Sequence, residues 1–500
     1  MQEKLALFKE KMALIRKYSH ALGILSFDFE TIAPEQSREQ EAEVMDFFSN
    51  ELFKIANSDE MKSLIVELYE GRASIEDPLD VALVEKWYDQ YQKLKNITPE
   101  MDLKMNQVRS KAYTAWLKAK QSADYSLFRD VFAEVVDIQR QAIALRDNKL
   151  PDYYDNCLDD CEKGLLQADL DPFFAELKAG LIDLLGRIQK SKHAIRRDFL
   201  TRSVPIYKQE AFSRYLLELN GYDFSKGALS TTEHPFTIDI AEYDSRVTTH
   251  YHENLFVSNI FSVIHEGGHA IFMQNERKED HDHFINDYIT NGMHESVSRF
   301  YENVVGRSEA YIHLIYPKFH ELFADELGDV TERELYEAVN IVEPSLVRTE
   351  ADEVTYGLHV IIRYEMEKGI ASGRILPADA SRVWNTLYKE YLGVDVGNDA
   401  EGILQDVHWT GGFGYFPSYA IGNCYNAMYY RRMQREIGVD DLVAKGDFEA
   451  IKAWLKENVF AEANVLTPKE WLRKITGESL SPAAFLDYLD KKYTDLYRLG

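Results

Sequence analysis

The chain has 500 residues, with only 13 Pro and 26 Gly among recurring Leu, Ala, Glu, Lys and Tyr, a composition that predicts long helices and an all-α or nearly all-α class. The 57 Lys plus Arg against 84 Asp plus Glu give a formal net charge of -27, which excludes nucleic-acid partners and an anionic membrane surface. The three cysteines, Cys157, Cys161 and Cys424, provide no disulfide framework and point to a reducing, cytoplasmic setting.

Met1 to Tyr18 mixes Glu and Lys with Leu at helical spacing and has neither the apolar centre nor the cleavage site of a signal peptide. No apolar run approaches the roughly 18 residues of a membrane span. From Met1 to about Gly227 one amphipathic helix follows another. Asp171-Pro172 reads as an N-cap with proline at the first helical position. Phe173, Phe174, Leu177, Leu181, Leu184 and Leu185 form the apolar stripe of the helix expected there. Cys157 and Cys161, with no second Cys or His pair nearby, read as ordinary helix residues. No repeat, low-complexity tract or Gly/Ser linker marks a boundary. The chain therefore reads as one unit over 1–500, with a helical N-terminal part over about 1–227 and a second part over about 228–500.

Between Thr231 and Tyr251 the helical rhythm breaks. Phe236–Ile240 and Arg246–Tyr251 are rich in β-branched and aromatic residues, and Ala241 to Asp244 turns between them, so a small antiparallel sheet is predicted. An extended peptide could lie along its exposed strand. Asp244, Arg246 and Thr248 share one face and are expected to hold the sheet against the next helix.

That helix is predicted over Asn259–Asn275, and His265 and His269 fall one turn apart on it, where two imidazoles can grip one ion. Glu266 is turned to the side of that face, placed to take a proton from water polarised by the ion. Gly267 and Gly268 cost about 1 kcal/mol each relative to Ala, so something must approach closely there, either another chain segment or a substrate. Asn291–Arg299 starts another helix and offers Glu295 as a third ligand. Its neighbour His294 is a rival that would have to point away from Glu295. Two His and one Glu leave a zinc ion with an open position, as hydrolytic sites require. Thr467-Pro468-Lys469-Glu470 is a capping box, and Gly477 stops the helix that it begins.

These residues resemble the carboxypeptidase Taq family of metallocarboxypeptidases over most of the chain. Six blocks stand in the family's order: His234-Pro235-Phe236, Asp244 to Thr248, His265 to His269, His294-Glu295-Ser296, Val347 to Asp352, and Gly402 to Trp409. The resemblance implies a mostly helical, saddle-like homodimer of the helical gluzincin type, its deep groove covered by the N-terminal part. It also implies broad removal of residues from free peptide C-termini, with zinc the usual ion and cobalt or manganese able to serve. Phe27 stands where relatives commonly carry Trp, and Ser-Val-Ser follows Glu295 where Ser-Gln-Ser is common, which leaves substrate preference open.

A carboxypeptidase must recognise a terminal carboxylate, and the planar fork of Arg suits it. Arg348 matches the family's block, although it could simply pair with Asp352 four residues on along a helix. His234, and Tyr415 or Tyr419, could donate to the oxyanion. The glycines of Gly411-Gly412-Phe413-Gly414 suggest a mobile loop able to close on substrate. Gln405, Asp406, His408 and Trp409 form a polar-aromatic cluster that lines the groove and contacts substrate, or else is architectural. Two rival functions remain at this level, a related helical endopeptidase or dipeptidase and a catalytically inactive peptide- or metal-binding scaffold.

Overall fold

In the computed structural model, which describes residues 1–499, nine α-helices precede the first strand: α1 (Gln2–Thr31), α2 (Arg38–Ala56), α3 (Asp59–Glu70), α4 (Pro78–Leu94), α5 (Pro99–Ser122), α6 (Ser126–Ala144), α7 (Tyr153–Cys161), α8 (Gln167–Ile188) and α9 (Ile206–Asn220). Ser58, Asp77, Thr98 and Asp152 each accept a hydrogen bond from a first-turn N–H of the helix they precede. Pro78 and Pro99 occupy first positions, where the missing N–H would have no helical partner anyway.

The start expected at Asp171-Pro172 is not there. Helix α8 begins at Gln167 and Pro172 lies inside it. Asp169 accepts the Leu166 N–H at 3.1 Å, while Asp171 is spent on the Tyr364 hydroxyl at 2.6 Å and on Lys368. The predicted stripe of α8 is buried throughout.

The sheet consists of β1 (Leu229–Thr231), β2 (Thr237–Ala241) and β3 (Asp244–Thr249), in the order β1-β3-β2. The expected hairpin is β2–β3, with an irregularity between Asp239 and Ala241. Strand β1 adds a parallel partner, Leu229 facing Val247, so the sheet is mixed rather than purely antiparallel. Arg246 forks onto Asp244 at 2.8 and 2.7 Å and lies 4.9 Å over the Phe27 ring of α1. That face therefore looks towards α1, which corrects the expectation for Asp244 and Arg246. Thr237 pairs with Val247 and so shares the opposite face with Val247 and Thr249. It is this face that meets the next helix, through Thr249 and Thr237.

Helices α10 (Phe256–Met273), α11 (Lys278–Asp282) and α12 (Asn291–Arg299) follow, and α12 continues in π turns over Phe300–Val305. Next come α13 (Glu309–Leu327), α14 (Glu332–Ala338), α15 (Glu353–Ala371), α16 (Ala380–Leu392) and α17 (Phe416–Ile437). The chain closes with α18 (Val439–Lys445), α19 (Phe448–Leu455), α20 (Pro468–Thr476) and α21 (Ala483–Tyr497). The Thr467 capping box opens α20, and Gly477 ends it at φ 76°. The larger apolar core runs from Val108 to Tyr497, across residue 227. A smaller one joins Phe8, Met61, Leu68 and Leu83 to Ile285. Helices α15 and α17 are buried along most of their length and form the scaffold under the site. Among the described residues no helix is long and apolar enough to cross a membrane.

Candidate metal centre and its surroundings

The two glycines of α10 are there for neighbouring chain. A Cβ on Gly268 would stand 2.7 Å from the Ser298 Cα of α12, and one on Gly267 would stand 2.6 Å from the Leu217 side chain of α9. From the other side, a Cβ on Gly422 of α17 would lie 3.0 Å from the Gly292 carbonyl oxygen and 3.1 Å from the Glu295 Cβ. Helix α12 is therefore held between α10 and α17 at nearly main-chain contact, and this brings Glu295 to the histidines.

His265 Nε2 lies 3.8 Å and His269 Nε2 3.6 Å from Glu295 Oε2. Ligands about 2.0–2.2 Å from a tetrahedral ion stand roughly 3.4 Å from one another, so the triad could hold a divalent ion with little adjustment. The opposite ring nitrogens are occupied. His265 Nδ1 donates to Glu302 Oε2 at 2.8 Å, which fixes the tautomer with the Nε2 lone pair towards Glu295. His269 Nδ1 meets His294 Nδ1, so His294 does turn away from Glu295 and backs the second histidine instead. Burial and the neighbouring His269 hold the His294 imidazole well below its ordinary range.

Burial acts to raise the Glu295 carboxyl, but His265, Arg299 and His269 outweigh it and hold the group well below the usual carboxylate range. The same contest ends at about 2 for Glu302, where Arg299, His265 and Arg307 overcome burial. Arg299 bridges both acids, at 2.8 Å to Glu295 and 3.2 Å to Glu302. Glu266 stays half-buried, its Oε2 2.7 Å from the Thr237 hydroxyl of β2, which also reaches the Glu266 carbonyl at 2.8 Å. Sequence reasoning missed Glu302, Arg299 and Thr237. The spacing of Glu295, Arg299 and Glu302 at four and three residues on one helical run is the signal that could have found the first two.

Arg348 lies in a 3₁₀ turn and does not pair with Asp352, which instead caps α15. Its Nε donates to Asp406 Oδ1 at 3.2 Å and its Nη1 to the Tyr356 hydroxyl at 3.3 Å, while the guanidinium sits 4.7 Å from the Tyr419 ring. Arg363, fully buried, takes the other oxygen of Asp406 at 2.7 Å. Two guanidinium groups thus share one carboxylate. Burial and these arginines outweigh Asp406 and lower His408 to about 4, so it is neutral at pH 7 and adds no charge. Its Nε2 is 3.4 Å from the Tyr419 hydroxyl, and its buried Nδ1 has no partner among the described residues.

Gln405 turns inward. Its Oε1 accepts from the Arg348 N–H at 3.0 Å and from Arg363 at 2.8 Å, and its Nε2 donates to the Leu346 carbonyl at 2.9 Å. With both ends of the amide engaged by the chain, Gln405 braces the arginines.

The glycine loop is pinned, contrary to the mobility expected of it. The Phe413 N–H donates to Gln139 at 3.3 Å and the Gly414 N–H to Glu367 at 3.1 Å, while Tyr154 holds the same Glu367 oxygen at 2.8 Å. Gly412 and Gly414 sit at φ 115° and 105°, and Gly414 packs against the Cys157 carbonyl with no room for a side chain. The glycines answer to backbone conformation and close approach. The loop delivers Tyr415 and Tyr419 to the site. Burial raises both phenols, and Glu295 adds to the rise, so both stay protonated donors near the triad. His234 is exposed on the turn between β1 and β2, three residues before Thr237.

A helical scaffold with a His/His/Glu cluster and an adjoining buried arginine pair defines a class, that of helical metallopeptidases. Over residues 7–493 the chain matches the model of the carboxypeptidase Taq (M32) metallopeptidase family, and it belongs to that family. It is 38% identical to carboxypeptidase 1 of Bacillus subtilis (strain 168) over 497 residues, 98% of each chain. It is 36% identical to thermostable carboxypeptidase 1 of Thermus thermophilus over 493 residues, 96% of each. The crystal structure of the M32 carboxypeptidase from Deinococcus radiodurans R1 superimposes with a TM-score of 0.95 at 30% identity, covering 99% of this chain and all of that one.

Proposed function

We propose that this metallocarboxypeptidase removes single residues from the free C-termini of peptides, with broad preference, as a cytoplasmic homodimer holding one zinc ion per chain, replaceable by cobalt or manganese. The observation that carries the reading is the convergence of His265 Nε2, His269 Nε2 and Glu295 Oε2 beside a second carboxylate, Glu266, that is not one of the three. The bound ion supplies Lewis acidity, which brings the ionisation of water towards neutral pH. Glu266, oriented by Thr237, takes the proton from the attacking water and returns it to the leaving amine. Tyr415 or Tyr419, with His234, donates to the carbonyl oxygen as charge develops there.

Arg348 receives the substrate's terminal carboxylate. Two guanidinium groups around Asp406 leave one positive charge without a counterion, an arrangement that a substrate carboxylate would complete. His408, neutral, packs behind the tyrosines. A ladder assay tests the reading. Mass spectra of a peptide should show stepwise loss from the C-terminal end, stopped by chelator and by C-terminal amidation. Glu266→Gln should retain the ion and lose about a hundred-fold or more in kcat. Equal cleavage of the amidated peptide would overturn the exopeptidase assignment, and full activity in Glu266→Gln would overturn the role of Glu266.

A further inference from the structure

Helix α12 takes its N-terminal cap from elsewhere in the chain. Thr290 stands at the cap position in extended backbone, but its side chain makes no bond to its own helix. The hydroxyl donates instead to Glu162 Oε2 at 2.7 Å. The Gly292 N–H, one of the donors that a helix start leaves free, donates to Glu162 Oε1. Glu162 directly follows α7 and is 2% exposed. Gly292 makes room for it, since a Cβ there would stand 2.8 Å from the same oxygen. Ser418, in the first turn of α17, acts on the carboxyl as well.

Two features set this apart from an ordinary cap. A threonine at that position can serve the helix with its own side chain, and a buried carboxylate is the costlier device. Among the described residues no arginine, lysine or histidine acts on Glu162. Burial pushes its carboxyl up to about 7, and only the bonds from Thr290, Gly292 and Ser418 oppose that rise. A local cap also moves with its helix, whereas a cap anchored on α7 ties the helix to a second element. Such a tie restrains what the glycine contacts do not. Bare backbone at Gly268 and Gly422 sets how near α10 and α17 come to α12, but offers little resistance to a slide along the helix axis. A slip of one residue's rise, about 1.5 Å, is roughly three times the 0.5 Å within which a preorganised ligand set must be held. Glu295 lies one turn beyond Gly292 and would move with it.

We propose that Glu162 is a positioning residue of the metal centre: by holding the N-terminus of α12 to the end of α7 through these hydrogen bonds, it sets the axial register at which Glu295 meets His265 and His269. The inference rests on the metal-site reading and adds to it a support from outside the coordinating helices.

Zinc affinity, measured by competition with a chelator and set beside Tm, tests it. Glu162→Ala should weaken zinc binding about tenfold. Glu162→Gln should bind within about twofold of wild type, because the amide oxygen still accepts the Gly292 N–H and the Thr290 hydroxyl can turn to accept from the amide nitrogen. Ser58→Ala, which removes the cap of α3, should lower Tm and leave zinc binding unchanged, which separates positioning from a general loss of stability. Should Glu162→Ala fail to fold, Glu162→Asp, which draws the acid back by one methylene, reads the same loss. Wild-type affinity in folded Glu162→Ala or Glu162→Asp would overturn the role of Glu162, and so would Glu162→Gln binding as weakly as either. Loss of zinc from Ser58→Ala in step with its Tm would overturn it too. A wild type that binds no zinc would instead overturn the metal-site reading.

Discussion

Glu367 gives the sharpest test of the structure's energetics. It is buried to 1% exposure with Tyr154 and the Gly414 N–H on one oxygen and no partner on the other. Burial, opposed only by those two bonds and reinforced by Asp406, pushes its carboxyl up to about 8. The group that folding buries is thus the neutral acid, and the unfolded chain, with an ordinary carboxyl near 4.3, ionises first. The sign follows: this site's contribution is fully present below about pH 4.3, and it is lost as pH rises towards 8. Each pH unit in that window costs about 1.4 kcal/mol. Glu367→Gln, an isostere of the neutral acid, has no such dependence. Between pH 5.5 and 7.5 the stability of the variant relative to wild type should therefore rise by about 2–3 kcal/mol. With an unfolding entropy of about 2.1 cal/mol/K per residue, a chain of this length loses about 1 kcal/mol of stability per degree. The difference in Tm should then widen by about 2–3 °C over those two pH units, read by calorimetry of both proteins in matched buffers. A Tm difference that stays constant from pH 5.5 to 7.5 would refute the buried neutral acid.

Other outcomes follow from the metal centre and its supports. Glu302→Gln removes the carboxylate that orients His265, and affinity for the ion, measured by competition with a chelator, should fall about 10- to 100-fold. Unchanged affinity would show that the His265 tautomer needs no such partner. Gly268→Ala gains about 1 kcal/mol of helix propensity but drives a methyl group into the α12 main chain, so a net loss of about 1–3 kcal/mol is expected. A raised Tm in that variant would contradict the close packing. Arg348→Lys keeps the charge and loses the fork, so KM for peptides with free C-termini should rise about tenfold or more. An unaltered KM would remove Arg348 from substrate recognition.

The legible parts of the site were those set by local periodicity. His265, Glu266 and His269 follow from one helical repeat, and Gly267-Gly268 announced a close approach because glycine in a helix interior is costly. The pairing of Glu302 with Arg299 was legible from their spacing, but its role towards His265 was not, because only the packing of the π turns against α10 brings the carboxylate to that imidazole. Asp406 joins Arg348 and Arg363 across separations of 58 and 43 residues, which no local pattern encodes. Strand β1 is three residues long, too short for alternation to register. The glycines at 411–414 were misjudged because one residue type serves two opposite ends, freedom in a loose segment and access to positive φ in a tight one. The Asp171-Pro172 signal failed for a similar reason, since the aspartate was already engaged by α15.

Gly268 and Gly422 leave α12 bounded by bare peptide on both flanks. At Gly268 the helix that offers the imidazoles meets the main chain of the helix that offers the carboxylate. The gap between them at that crossing is set by the van der Waals contact of two polypeptide backbones, where no side chain is present to repack. The spacing of the candidate ligands is a property of how closely main chains can stack.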